Sequence, residues 1–234
     1  MNGKLYLIPT TLGDENPYNV LPSQIKTIVA SIKHFVVEDE RTARRFLRKI
    51  DPEIVIDHLT FKELNKRTRY DEMVLFLDPI FEGNNVGILS EAGCPGVADP
   101  GADVVKVAHQ KNIEVKPLVG PSSILLSLMA SGLNGQSFAF AGYIPVKHPA
   151  RGKTIRHLEH RSLFEDQTQI FIETPYRNNN LLEDLVKTLD EKTRLCVACD
   201  LTLETEYIKT QFIRDWRKER PDLHKRPAIF LIGK

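Results

Sequence analysis

The segment Val86-Gly87-Ile88-Leu89 and the residues directly after it limit the fold of this chain more than any other part. Next come Ser90-Glu91-Ala92-Gly93-Cys94-Pro95-Gly96-Val97-Ala98-Asp99-Pro100-Gly101 and an amphipathic run from Asp103 to His109. The apolar run predicts a buried strand and the periodic run a helix. Between them lies a loop with two prolines, three glycines and two acids. Glycine permits positive φ and close backbone approach, and proline fixes φ and removes a donor. Such a loop is rigid and presents its amides. Loops of this kind at the carboxyl ends of parallel strands are where open α/β sheets bind small molecules.

The rest of the chain repeats the strand–helix alternation. Leu5-Tyr6-Leu7-Ile8 is a strand, followed by a proline-rich connection and a helical stripe at Ile25, Ile28, Val29 and Ile32. Phe35-Val36-Val37 is a second strand, ending at Glu38-Asp39-Glu40-Arg41, and a basic helix follows. Ile54-Val55-Ile56 and Met73 to Leu77 fit either strand or helix. Ile113-Glu114-Val115 is a further strand. Alternation of this kind predicts a mostly parallel sheet. Ile124 to Ala130 is apolar nearly all round, which predicts a buried helix, started by the capping residues Ser122 or Ser123. Beyond it the texture changes. Phe138 to Tyr143, Ile170 to Glu173, Leu195 to Cys199 and Ala228 to Ile232 are strands, Leu181 to Leu189 is a helical stripe, and Thr205 to Ile213 suits an antiparallel hairpin. The expected fold is α/β with two αβα domains, residues 1–117 with a mostly parallel sheet and residues 118–234 with a mixed one.

Charge and cysteine content exclude some functions. The formal net charge is +1, so this is no globally basic nucleic-acid binder. Basic residues cluster at Arg41 to Lys49, Lys147 to Arg161 and Tyr207 to Lys234, which suits an anionic partner. Three cysteines make no disulfide framework and fit a reducing, cytoplasmic setting. Cys196 and Cys199 have redox spacing but lie in a strand, where residues three apart face opposite sides. Two buried thiols are expected there, and no metal. The sequence has neither Gly-x-Gly-x-x-Gly nor a Walker A loop. The first residues are no signal peptide, and no apolar run is long enough to span a membrane.

Five loop segments follow strand candidates: Pro9 to Asp14, Glu38 to Arg41, Glu91 to Gly101, Gly120 to Ser123 and Glu173 to Arg177. Strands of one parallel sheet bring such segments to one edge. Taken in order, they resemble the ribosomal RNA small subunit methyltransferase I family of the tetrapyrrole methylase superfamily. Leu5 to Gly13 is similar to the family's Val-Ala-Thr-Pro-Ile-Gly-Asn, with Thr11 and Asp14 where Pro and Asn are usual. Glu38 to Arg41 resembles Glu-Asp-Thr-Arg. Leu89 to Gly101 resembles Ser-Asp-Ala-Gly-Thr-Pro-x-x-x-Asp-Pro-Gly. Pro117 to Leu133 resembles Pro-x-Pro-Gly-Pro-Ser-Ala with its helix, Phe140 to Lys147 resembles Phe-x-Gly-Phe-Leu-Pro-x-Lys, and Ile172 to Arg177 resembles Tyr-Glu-Ser-Pro-His-Arg.

The resemblance implies S-adenosylmethionine (SAM) as cofactor, bound in the cleft between two domains of a homodimer. It implies SAM contacts at Pro9, Gly93, Cys94, Val97, Ser122 and Ser123. Glu173, Thr174 and Pro175 would come from the second domain, with Asp200, Leu201 and Ala228 as further contacts. The acceptor in the family is a cytidine ribose 2′-hydroxyl of small-subunit ribosomal RNA. A hydroxyl acceptor needs a base, for which Glu38, Asp39 and Glu91 are candidates. Arg41 and Arg177 would grip phosphate, and Lys147, Arg151 and Lys153 of the basic segment would meet RNA. C-methylation of a tetrapyrrole, and a SAM-binding RNA-associated module without turnover, are the alternatives.

Overall fold

The computed structural model describes residues 2–234, which fall into two compact units, residues 2–122 and 123–234. The first contains β1 (Leu5–Ile8), α1 (Gln24–Ala30), β2 (His34–Val37), α2 (Glu40–Ile50), β3 (Thr60–Glu63), α3 (Tyr70–Phe76), α4 (Asp78–Phe81), β4 (Val86–Leu89), α5 (Gly101–Gln110) and β5 (Val115–Pro117). Its sheet has the order β3-β2-β4-β1-β5, and every pairing is parallel. Strand alternation sends Phe35, Val37 and Leu89 to one face, where they pack with α1 and α2. Val36, Val86 and Ile88 pack on the other face with Leu77, Ile80, Val104 and Val107. A parallel sheet is buried on both faces, so its strands read as continuous apolar runs.

The second unit contains α6 (Ser123–Ser131), β6 (Phe138–Tyr143), α7 (Ala150–Phe164), β7 (Thr168–Ile172), α8 (Asn178–Thr188), β8 (Arg194–Cys199), β9 (Tyr207–Phe212), α9 (Ile213–Trp216) and β10 (Ala228–Gly233). Its sheet, β6-β7-β10-β8-β9, is mixed: β6 pairs parallel with β7, and the other pairs are antiparallel. Its core gathers Phe171, Phe230, Trp216 and the inner faces of α7 and α8.

Several expectations change in detail. Ile56–His58 is a single 3₁₀ turn, and Met73 to Phe76 belongs to α3. The edge strand Thr60–Glu63 is polar at all but Phe61 and mostly exposed, so it carries no apolar signature. The strand expected at 113–115 lies at Val115–Pro117. Thr205 to Ile213 supplies β9, whose hairpin partner is the preceding β8. Helix α6 is not buried all round. Ser127 and Ser131 face inward, and Leu125 and Met129 are 51% and 78% exposed. The serines bond back to the carbonyls of Ile124 and Leu128 at 3.0 and 2.8 Å. With its hydroxyls satisfied this way, a small-residue face can sit close against the sheet.

Candidate functional site

The site begins at the carboxyl edge of the first sheet. β1 and β4 are neighbours, but β1 leads through α1 towards β2, whereas β4 leads through α5 to β5 on the far side of β1. That reversal opens a crevice beyond the strand ends. Three loops fill its rim and are bonded together. The Thr10 amide donates to the Gly93 carbonyl at 2.9 Å, and its hydroxyl to the Ser90 carbonyl at 3.2 Å. The Ser90 hydroxyl donates to the Gly93 carbonyl at 2.7 Å, and the Cys94 thiol to the Pro121 carbonyl at 3.3 Å.

Two glycines make this packing possible. Gly93 has φ +74°, and a Cβ there would stand 3.2 Å from the Pro121 carbonyl oxygen. A Cβ on Gly120 would fall 2.2 Å from the Pro9 Cβ. The turns at Gly93 and Gly120 therefore meet on one side of the sheet, and buried Pro9 lies between them. Asp99 fastens the rest of the long loop: its Oδ1 accepts from the amides of Gly96 and Gly101 at 2.7 and 2.8 Å. Ala98, beside it, holds φ +62°. Strained backbone of this kind gathers at ligand sites. Val97 is exposed on the same loop, and Ser122 and Ser123 are half-buried where the first unit ends and α6 begins.

A cavity of about 480 Å³ opens beside the loops, with Thr10, Asp14, Glu38, Arg45, Lys49 and Glu91 on its walls. A second of about 630 Å³ lies towards Leu64, Met73 and Asp99, and Glu38 lines both. Burial raises the Glu38 carboxyl above its usual range, and the Asp99 charge adds to this, against a hydrogen bond from the Glu91 amide. Burial likewise raises Glu91, helped by Asp39 and Glu38 and opposed by Arg45. Asp39 differs from both. It caps α2, accepting the Thr42 amide at 2.7 Å and the Thr42 hydroxyl at 2.8 Å. Those bonds hold its carboxyl below the usual value. It is a capping acid, with its proton acceptor committed.

In the second unit the Glu173-Thr174-Pro175 turn is set by a buried ion-pair network. The Arg151 and Glu173 side chains are 3% and 1% exposed and meet at 2.7 Å. Arg151 also binds Asp184 at 3.0 Å and the Pro145 carbonyl at 2.8 Å. Glu173 further accepts from Arg177 at 2.7 and 3.0 Å and from the Thr174 amide at 2.8 Å. This corrects the sequence reading of Arg151 as an RNA contact. The apolar stripe of α7 turns Arg151 inward, where Glu173 and Asp184 neutralise it. Lys147 and Lys153 are exposed, as is Arg41 in the first unit, and Arg177 is half-exposed but tied to Glu173.

Pro175 offers its carbonyl to the Lys225 amide at 3.1 Å. Asp200 has φ +50° and accepts from Arg226 and Thr205 at 2.8 and 2.9 Å. Leu201 is buried, and Ala228 pairs with Cys199. Cys196 and Cys199 are both buried, and only Cys199 belongs to the Trp216 core, as the strand alternation requires. Among the described residues no group of three potential metal ligands comes together. Sequence reading missed Arg45 and Lys49. Their signal is their four-residue spacing on α2, which puts both on the face that continues from the Glu38 turn.

Residues 4–215 match the family of Tetrapyrrole (Corrin/Porphyrin) Methylases. The chain is 27% identical to a ribosomal RNA small subunit methyltransferase I of Buchnera aphidicola subsp. Schizaphis graminum, over 98% of this chain and 78% of that protein. It is 30% identical to the protein of the same name from Halalkalibacterium halodurans, over 93% and 69%. Among solved structures, the methyltransferase CobJ aligns with TM-score 0.65 and 18% identity, covering 99% of this chain and 94% of its own.

Proposed function

The chain belongs to the tetrapyrrole methylase family and is a SAM-dependent methyltransferase; from that premise we propose that it methylates a ribose 2′-hydroxyl of small-subunit ribosomal RNA. The observation that carries the reading is Glu38. It is a half-buried carboxylate with a raised pKa, one residue beyond β2, on the wall of a cavity beside the glycine-cradled loops. Relatives named for ribosomal RNA match at 27% and 30% identity over nearly the whole chain, which favours RNA over a tetrapyrrole acceptor.

The loop cradle suits SAM. Gly120 leaves no room for a Cβ and Gly93 holds a positive φ with a tight approach, so Pro9, Gly93, Cys94, Val97, Ser122 and Ser123 present mainly main-chain surface to an adenosyl group. The carboxylates of Glu38, Glu91 and Asp99 give the edge a negative field suited to a sulfonium. Bound there, SAM supplies an electrophilic methyl whose leaving group departs neutral. Glu38 accepts the proton of the attacking hydroxyl, and its raised pKa brings it closer to the operating pH, where a general base works best. The Glu91 amide, by its hydrogen bond, holds Glu38 in place. Arg41, Lys147 and Lys153 are exposed cations that contact RNA backbone. The cytoplasm is the expected location and a homodimer the expected assembly.

Mass mapping of small-subunit ribosomal RNA from a strain lacking this gene tests the reading. One ribose methylation should vanish and return on complementation with the wild-type gene but not with Glu38→Gln. An unchanged methylation map overturns the RNA substrate. Porphyrinoid binding followed by absorbance would then favour C-methylation.

A further inference from the structure

The basic residues of α2 have different surroundings. Arg44 pairs with Glu40 and lies over the Phe61 ring, 5.3 Å from its centroid. Arg41 and Arg48 are exposed and stand apart from the cavity. Arg45 and Lys49 are one turn apart on the same face and line the cavity that also holds Glu38 and Glu91. The Lys49 ammonium bonds the carboxylate of Asp14, whose side chain is otherwise 94% exposed. Arg45 acts on both sides. After Lys49, whose hydrogen bond and charge dominate, it helps draw the Asp14 carboxyl down, and it opposes the burial that raises Glu91. An anion at the Asp14 carboxylate therefore feels two cations, on the wall it shares with the candidate base.

We infer that Arg45 and Lys49 form a phosphodiester subsite for the RNA backbone next to the reacting ribose, and that the Asp14 carboxylate occupies it until RNA displaces it. This rests on the RNA reading above. A guanidinium fork beside an ammonium matches a phosphate's oxygens. An edge crowded with carboxylates otherwise repels a polyanion, and these two cations offset that field where the strand must pass. The Asp14 pair is solvent-exposed, and such pairs are weak and screened by salt, so phosphate exchanges with it readily. Asp14 stands where the resembling family carries Asn, so this chain partly blocks its own subsite.

The test measures binding of a labelled oligoribonucleotide and of inorganic pyrophosphate to the full chain at several salt concentrations. Arg45→Gln with Lys49→Gln should weaken oligoribonucleotide binding about tenfold, the scale of one charge-assisted hydrogen bond. The salt slope should fall by about 0.7 for each single-strand phosphate that the variant no longer neutralises. Asp14→Asn should tighten binding, and Arg48→Gln, a charge change outside the cavity, should leave it unchanged. Arg45 and Lys49 are exposed, and the urea unfolding midpoint of the double variant verifies that its fold is intact. If the double variant binds no more weakly than Arg48→Gln, the subsite is overturned while the RNA reading stands. If pyrophosphate binds through Arg45 and Lys49 but RNA does not bind, the two cations hold an anion, and both the RNA reading and the assignment of the subsite to the RNA backbone fall. If the wild type binds neither, both are overturned.

Discussion

Replacing Arg151 by Met would break the buried network behind the Glu173-Thr174-Pro175 turn. Arg151 makes bonds of 2.7, 3.0 and 2.8 Å to Glu173, Asp184 and the Pro145 carbonyl, and both it and Glu173 are almost fully buried. Removing one partner of such a pair leaves the other charge buried, which costs about 3–5 kcal/mol. Here Glu173 keeps Arg177 and the Thr174 amide, and Asp184 keeps His148 at 3.3 Å, so the lower end applies, about 3 kcal/mol. With a urea m-value of about 2 kcal/mol/M for a unit of this size, the midpoint falls by about 1.5 M. Trp216 is the sole tryptophan, lies fully buried in the second unit's core and donates to the Leu195 carbonyl at 3.0 Å. Its fluorescence therefore reports that unit's unfolding. Pairing Arg151→Met with Glu173→Gln should restore a large part of the loss, because the stranded charge disappears with its partner. A midpoint unchanged by Arg151→Met, or a double variant that loses the sum of the singles, refutes the argument.

The same network gives a pH dependence with a definite sign. Burial pushes the Glu173 carboxyl up, but the Arg177 bonds, the Thr174 amide and the Arg177 and Arg151 charges outweigh it and hold it below the usual value of 4.5. Its stabilisation is therefore complete above the ordinary glutamate range and is lost as pH falls through the folded value, an acid limb the Trp216 unfolding curve should display. Glu38 is shifted the other way, so the acid limb of methyl transfer should lie above the usual carboxylate range, and Glu38→Gln should lower the rate by about 10²–10⁴-fold. Gly120→Ala would place a Cβ 2.2 Å from the Pro9 ring, and calorimetry should find SAM affinity lost together with about 1–3 kcal/mol of stability. Burial raises all three thiols, Cys199 to about 12, so a disulfide reagent at pH 8 should react slowly with native protein and with three thiols once it is unfolded.

Much of the fold was legible because buried strands and amphipathic helices leave periodic marks. β4, the long loop and α5 are where the apolar run and its punctuation put them, and Phe35 to Val37 reads as a strand because parallel sheets bury both faces. β3 left no mark, since an exposed edge strand need not be apolar. Helix α6 misled for the opposite reason: its apolar content hid the fact that two serines join Leu128 on the inward face while Leu125 and Met129 face out.

By itself the sequence determined the alternating strand–helix order, the conformation of the punctuated loops and the acids at the strand ends. Each of these depends on a few neighbouring residues, and local stereochemistry decides them. Which acid keeps a free carboxylate, which cation turns inward and which two face the cavity depended on the tertiary structure. Asp39 became a cap, Arg151 a buried partner of Glu173, and Arg45 and Lys49 a cationic wall. A charged side chain's role is set by what it meets across the fold, because burial and opposing charge, not residue type, govern its protonation and its availability.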